Sequence, residues 1–145
     1  MAKFIYKMQN ILDIKYKLED QAKTEFSMAV NRLRTEEEKL EQIYASIEEC
    51  QRKIRESSEN KLNVLELNYL AQSVEYKKEQ AKIQKKQVQV AEINVEKARV
   101  KLNEIMVDRK THEKLKENAF EDFKREINEQ ESKEIDELVS FRGSK

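Results

Sequence analysis

Apolar residues recur in alternating steps of three and four along most of this chain. The clearest case lies between Leu67 and Ile105, where only Lys77 and Gln84 interrupt the pattern. Such spacing keeps one stripe of a helix facing a partner helix over many turns, which is typical of a coiled-coil seam. We call this set the first row: Leu67, Leu70, Val74, Ala81, Val88, Ala91, Val95, Ala98, Leu102 and Ile105.

The same stretch carries a second row of apolar residues on roughly the opposite side of the helix. Its members again keep steps of three, four or seven: Leu62, Leu65, Tyr69, Tyr76, Ile83, Val90, Ile93, Val100 and Val107. One partner helix covers only one of the two faces. The pattern leaves open which row forms the intramolecular seam, but in either register one apolar face of this helix is left over.

The beginning of the chain predicts another helix, over residues 4–55, with a seam of its own. This seam is formed by Phe4, Met8, Ile11, Lys15, Leu18, Ala22, Phe26, Ala29, Leu33, Glu36, Leu40, Ile43, Ile47, Cys50 and Ile54. Two consecutive steps of four, from Leu18 through Ala22 to Phe26, predict a stutter that locally unwinds a left-handed supercoil. Cys50 occupies a seam position, so we interpret it as a small buried apolar residue.

Residues 56–61 contain no apolar residue and several turn or cap formers. Ser57, Ser58 and Asn60 are suited to closing one helix and capping the next, and Asn60 best accepts a left-handed backbone. We predict the tip of an antiparallel hairpin here. The alternative is one very long helix that continues through this charged run and dimerises.

The second helix of such a hairpin covers residues 62–138 and is followed by a tail, residues 139–145. At 1.5 Å per residue it spans about 115 Å, against about 75 Å for the first helix, so it overhangs from near Leu115. The overhang carries the apolar stripe Leu115, Ala119, Phe120, Phe123, Ile127, Ile135, Leu138 and Phe141. Between Glu121 and Glu137 the chain also has eight carboxylates against three basic residues. An unpaired amphipathic helix is marginal in water, so we expect this segment to fray or to await a partner.

Composition agrees with long helices rather than a globular core. Of 145 residues, 40% are charged, one is Gly and none is Pro, whereas compact domains use Gly and Pro in their turns. Disorder is the competing interpretation of so charged a chain, but a disordered chain does not maintain periodic apolar residues. The sequence therefore predicts an all-α fold, a single antiparallel coiled-coil hairpin with a longer second helix.

The charge and the rare residues exclude several function classes. The 29 basic and 29 acidic residues balance, so nothing global attracts nucleic acid or an anionic membrane. The lysines 77, 78, 82, 85 and 86 are interpreted as a solvated flank. One Cys, one His and one Gly provide no metal set, phosphate loop or nucleophile motif, so we predict no cofactor and no enzymatic activity. His112 is expected to be packed or to flank the seam.

No run approaches the roughly 20 apolar residues that a membrane span needs. The sequence thus predicts a soluble cytoplasmic protein without direct membrane insertion.

The two ends of the chain resemble the FliJ family of flagellar export proteins. The opening residues Phe4, Tyr6, Gln9, Leu12, Lys15 and Glu19 are similar to the start of that family, and the closing helix with Phe123, Lys133, Glu134, Asp136 and Glu137 is similar to its end. The likeness covers the whole chain. It implies a component of the bacterial flagellar type III export apparatus, folded as a hairpin similar to the central stalk of rotary ATPases.

The resemblance also implies partners: the hexameric export ATPase, the membrane export gate protein and export chaperones. It implies a protein at the cytoplasmic side of the cell membrane, at the flagellar base. Carried onto this chain, the joined ends would enter the ATPase ring through Phe4, Tyr6, Gln9, Leu12, Phe120, Phe123 and Ile127. A tip region of Tyr44, Leu62, Leu65, Tyr69 and Tyr76 would suit the gate, because exposed apolar stripes and Tyr residues mark binding sites.

The leading hypothesis is therefore a stalk or adaptor of flagellar protein export. A dimeric coiled-coil spacer unrelated to export is the alternative.

Overall fold

A computed structural model describes residues 2–59 and 63–143, which form two long helices. Helix α1 is Gln9–Glu59, with 51 residues, and helix α2 is Val64–Gly143, with 80 residues. The described ranges contain no β-strand. The predicted all-α hairpin with a longer second helix is confirmed.

The contacts between the helices fall into two units. The terminal unit combines Met1–Ala22 with Leu102–Lys145, and the mid-chain unit is Lys23–Lys101. In the mid-chain unit, three polar pairs join the helices: Glu25 with Lys101, Glu36 with Gln84, and Cys50 with Lys77. Residue numbers rise along α1 as they fall along α2, so the two helices run antiparallel.

The first row of α2 forms the seam with α1. Val74, Ala81, Val88 and Ala91 are buried, and the other members of the row are half-buried. Every described member of the second row is exposed, and the exposed fraction ranges from 43% at Val100 to 74% at Leu65. The structure therefore settles the register that the pattern left open. Small seam residues such as Ala let two helices approach closely, and the best-packed cluster combines Ile47, Cys50, Val74 and Ala81 with Leu40, Ile43 and Ile54 at its edge.

The seam of α1 differs from the predicted one near its beginning. Leu12, Glu19 and Ala22 are buried, whereas the predicted seam residues Ile11 and Leu18 are each 39% exposed. Counting back from Phe26 in strict steps of four and three leads to Ala22, Glu19 and Leu12, so the predicted stutter is wrong. The apolar pattern was misleading because a glutamate, Glu19, occupies the seam position. An ion pair with Arg109 of α2 compensates for the burial of its carboxylate.

The chain also enters α1 later than predicted. The helix begins at Gln9 rather than Phe4, and the amide of Gln9 donates to the carbonyl of Tyr6 at 3.2 Å. Phe4 lies outside the helix and packs against α2. Half-buried positions on α2 continue to Ile127, so the uncovered part is residues 128–143 rather than everything from Leu115 onward.

The predicted tip at residues 56–61 only partly matches the helix ends. Helix α1 continues to Glu59, and Asn60 lies outside the described residues. Asn63 caps α2: its Oδ1 accepts the amide of Leu65 at 3.1 Å, and its carbonyl accepts the amides of Glu66 and Leu67 at 3.1 and 3.2 Å. An N-cap asparagine satisfies donors that the first helical turn leaves unpaired. The far end of α2 is Gly143, five residues beyond the predicted boundary at 138.

Replacing Asn63 with Ala is expected to destabilise the hairpin by about 1 kcal/mol, because the first turn of α2 loses its side-chain acceptor. Asn63→Ser keeps an acceptor and should recover most of the loss. Urea denaturation followed by circular dichroism measures the difference. Asn68→Ala, at an exposed position inside α2, is the matched control. Equal losses at both positions would mean that Asn63 does not cap the helix.

Candidate functional site

Four aromatic residues meet where the beginning of the chain packs on α2; we call them the aromatic cluster. The ring centroid of Phe4 lies 5.1 Å from that of Phe120 and 5.3 Å from that of Phe123, both in tilted geometry. Tyr6 stacks on Phe4 at 6.5 Å, and the Lys124 ammonium lies 4.6 Å from the Phe120 centroid. Tilted ring pairs at these distances are favourable beyond the area they bury. The cluster holds the non-helical start of the chain against α2.

A surface groove of about 540 Å³ adjoins the aromatic cluster. Apolar and charged side chains line it: Phe4, Gln9, Leu12, Tyr16, Glu113, Lys116, Glu117 and Phe120. Leu12 is only 2% exposed and belongs to its floor. The Gln9 amide donates to the carboxylate of Asp13 at 2.8 Å.

An ionic network continues from the groove into the helix interface of the terminal unit. The guanidinium of Arg109 donates two hydrogen bonds to the Glu19 carboxylate, at 2.6 and 3.0 Å, and one to Glu113 at 3.0 Å. The Tyr16 hydroxyl donates to Glu113, and the Arg109 guanidinium carbon lies 5.9 Å from the Tyr16 ring centroid. This bidentate pairing fixes the position of α1 relative to α2, because a guanidinium fork matches only one orientation of a carboxylate.

The pKa values in this network shift in the directions that ion pairing predicts. The hydrogen bond from Tyr16 lowers the pKa of Glu113, and the same bond raises the pKa of Tyr16. Lys15, whose ammonium lies 2.7 Å from Asp108, lowers the pKa of that carboxyl group. The hydrogen bonds to Glu19 raise the pKa of Arg109 further. All four groups are thereby held in their usual charge states, which indicates structural ion pairing rather than acid-base chemistry.

Polar residues also occupy seam positions in the mid-chain unit. The Gln84 amide donates to the backbone carbonyl of Glu36 at 2.9 Å and also to its carboxylate, which lowers the pKa of Glu36. The Lys77 ammonium donates to the Cys50 sulfur at 3.2 Å. Cys50 is buried, as predicted from its seam position. Lys77 is half-buried, so among the five lysines it is not part of a solvated flank.

The second row forms a long exposed apolar surface on α2. Leu65 is 74% exposed, Tyr69 72% and Tyr76 65%. Tyr44 on α1 is 45% exposed. Leu62, the remaining residue of the predicted tip site, lies outside the described residues. The row continues with Ile83, Val90, Ile93, Val100 and Val107, all of them exposed.

The described residues contain no group of three or more His, Cys, Asp or Glu side chains placed to hold a metal ion. In the same part of the chain, neither helix has a segment that is apolar enough over a sufficient length to cross a membrane. His112 is half-buried, with Nε2 at 3.6 Å from the carboxylate of Asp108, in agreement with its predicted position beside the seam.

A family comparison identifies the kind of protein to which this chain belongs. The sequence model of the flagellar FliJ protein family matches residues 4–145, which is nearly the whole chain. The chain belongs to the FliJ family. No curated protein and no solved structure matches it significantly. FliJ proteins are structural components of flagellar protein export and not known enzymes, so this FliJ protein has an export-related role in building the flagellum.

The structure of this FliJ protein brings together part of the residues predicted for the ATPase end. Phe4, Tyr6, Phe120 and Phe123 form the aromatic cluster, and Ile127 is half-buried further along α2. Leu12 belongs to the buried seam instead of an open surface.

The pattern analysis missed the ion pair of Glu19 with Arg109. A signal for it was present, since continuing both heptad rows without a stutter assigns each of these two residues to a seam position.

Proposed function

We propose that this FliJ protein is a non-catalytic stalk or adaptor that couples the hexameric export ATPase to the membrane export gate protein and to export chaperones. It would act at the cytoplasmic side of the cell membrane, at the flagellar base. The observation that carries the proposal is the exposed second row. Helix α2 packs on α1 with its first row and still presents a row of exposed apolar residues on its other side, and exposed apolar patches mark binding surfaces.

The ATPase end is assigned to the aromatic cluster and the groove beside it. Gln9 and Phe120 line the groove, Phe4 reaches it from outside the helix, and Ile127 extends the apolar stripe along α2. Aromatic side chains in a groove with a charged rim are typical of the anchors that dominate protein interfaces. Leu12 would support this surface from below.

The gate end is assigned to Tyr44, Leu65, Tyr69 and Tyr76, with Leu62 as the fifth residue of the predicted set. Tyrosine contributes a large contact area at a small cost in side-chain entropy, and its hydroxyl still finds a polar partner at an interface rim. The exposure of these side chains supports the assignment, because α1 leaves them available.

The alternative of a dimeric spacer is not retained. Its main support was that a single long helix needs a second chain to bury its seam. In this chain α1 covers the first row of α2, and family membership connects the protein to export.

Binding to two export components tests the proposal. Tyr69→Ala combined with Tyr76→Ala is expected to weaken binding to the gate protein by about tenfold or more, since hot-spot aromatic residues each contribute strongly. Binding to the export ATPase should be unchanged, and the melting temperature should be nearly that of the wild type, because both side chains are exposed. Titration calorimetry and circular dichroism measure these quantities.

The matched control is Val100→Ala with Val107→Ala, which removes two exposed side chains of the same row outside the proposed gate end. Wild-type protein that binds neither the ATPase nor the gate protein would overturn the proposed function. A large drop in the melting temperature of the tyrosine variant would instead give those residues a role in folding.

A further inference from the structure

The middle of the second row combines exposed apolar residues with unpaired lysines; we call it the basic apolar face. Ile83, Val90 and Ile93 are 54%, 51% and 55% exposed. A surface groove of about 360 Å³ adjoins Ile83 and is lined by Glu79, Lys82, Ile83, Lys85, Lys86 and Gln89. Lys82 pairs with Glu79 at 3.3 Å, but within the described residues Lys85 and Lys86 have no ion pair. This face is therefore both apolar and in need of negative charge.

The end of α2 has the complementary character; we call residues 126–143 the acidic segment. From Glu126 to Glu137 it contains six carboxylates and only one basic residue, Lys133. None of these six carboxylates has an ion pair among the residues that the structure describes. Those at 131, 134 and 137 are spaced by three and therefore share one face of the helix, where like charges repel. Ile135, Leu138 and Val139 are 60%, 62% and 64% exposed.

We propose that the acidic segment of one copy of this protein docks on the basic apolar face of a second copy. Each surface supplies the charge that the other lacks, and each has apolar side chains left uncovered by its own chain. A helix is the expected occupant, because Ile83, Val90 and Ile93 are spaced by seven and three residues, as in the seam of a coiled coil. The contact relieves the repulsion within the acidic segment.

A symmetric pairing of two basic apolar faces is disfavoured by charge. It would bring Lys85 and Lys86 of both copies together at the centre, and like charges across an interface cost binding energy. The acidic segment meets no such repulsion. The proposed contact uses neither Tyr69 nor Tyr76 of the gate end, and it is tested with the purified protein alone.

The test is sedimentation velocity of the full-length protein with charge-reversal variants. The wild type is expected to self-associate with rising concentration, and raising the salt from about 0.05 M to about 0.5 M should weaken association by about tenfold or more. Lys85→Glu with Lys86→Glu should abolish association. The triple variant Glu131→Lys, Glu134→Lys and Glu137→Lys should also abolish association. An equimolar mixture of the two variants should associate again, because each reversed surface now meets its opposite in the other variant.

Lys110→Glu with Lys114→Glu, two exposed lysines of α2 away from both surfaces, is the matched control and should leave association unchanged. Circular dichroism of every variant shows that the hairpin is intact. A wild type that stays monomeric at all concentrations overturns the proposal. Association that survives both reversals but is lost in Ile83→Ser also overturns it, in favour of a symmetric apolar pairing. Failure of the mixed variants to associate excludes direct contact between the two surfaces.

Discussion

Leu12→Ala is expected to destabilise the hairpin by about 2 to 3 kcal/mol, within the range for truncating a buried leucine. Leu12 is 2% exposed and is the largest fully buried side chain of the described residues. Its truncation leaves a cavity that the neighbouring helix fills only in part. Leu18→Ala is the matched control, because this leucine is 39% exposed and lies outside the observed seam. We expect it to cost less than about 1 kcal/mol.

The comparison decides the register of α1. The predicted seam contains Leu18 and not Leu12, whereas the observed seam contains Leu12 and not Leu18. Chemical denaturation of both variants, followed by circular dichroism, measures the two free energies of unfolding. A larger loss for Leu18→Ala than for Leu12→Ala would restore the stutter and contradict the structure. Comparable losses would mean that both leucines contribute to the core.

The architecture was predictable because it depends on periodicity, which single substitutions do not obscure. The first row keeps its spacing through Lys77 and Gln84, and both of these polar residues are half-buried at seam positions with partners on α1. The near absence of Gly and Pro limited the turns to one region. Together with the run 56–61, which lacks apolar residues, these two facts predicted a hairpin with unequal helices, with one long dimerising helix as the alternative.

The register near the start of α1 was not predictable from apolar spacing. A glutamate at a seam position is buried only because Arg109 lies opposite to it, and a sequence does not show which residues lie opposite each other until the register is known. Leu18 was assigned to the seam instead, because it is the apolar residue nearest to the seam position that Glu19 occupies. The error placed the seam one residue too early at Ile11 and again at Leu18, and it produced an apparent stutter.

Two local features were missed for a similar reason. Phe4 fits the helical spacing, yet contact with Phe120 and Phe123 takes it out of the helix, a tertiary effect that spacing does not contain. The cap of α2 was expected among Ser57, Ser58 and Asn60, but the observed cap is Asn63. A cap is defined by the first amides of the helix, so the start of α2 has to be known within one residue.

The candidate surfaces were predictable to different degrees. The exposure of Tyr69 and Tyr76 follows from the presence of two rows and a single partner helix. The residues of the aromatic cluster were predicted only through the resemblance of the chain ends to a family. Their contacts with one another became visible only in the structure. The ionic network beside it had no apolar signature, and only the uninterrupted heptad spacing of the two helices pointed to Glu19 and Arg109.

Removing the arginine of that network tests whether the pair fixes the register. Arg109→Ala leaves the buried Glu19 carboxylate without its bidentate partner and is expected to lower the melting temperature by about 5 to 10 °C. The control Arg99→Ala removes the exposed pair with Glu96 inside α2 and should change the melting temperature by less than about 2 °C, since surface pairs contribute little.

The double variant Glu19→Leu with Arg109→Leu separates charge compensation from packing. Two leucines at these seam positions continue the apolar rows, and replacing a buried ion pair by apolar residues is often neutral or stabilising. We therefore expect the double variant to melt at or above the wild-type temperature, although each single leucine variant melts below it. A double variant as unstable as Arg109→Ala would show that the ion pair, and not packing alone, determines how α1 and α2 align in the terminal unit.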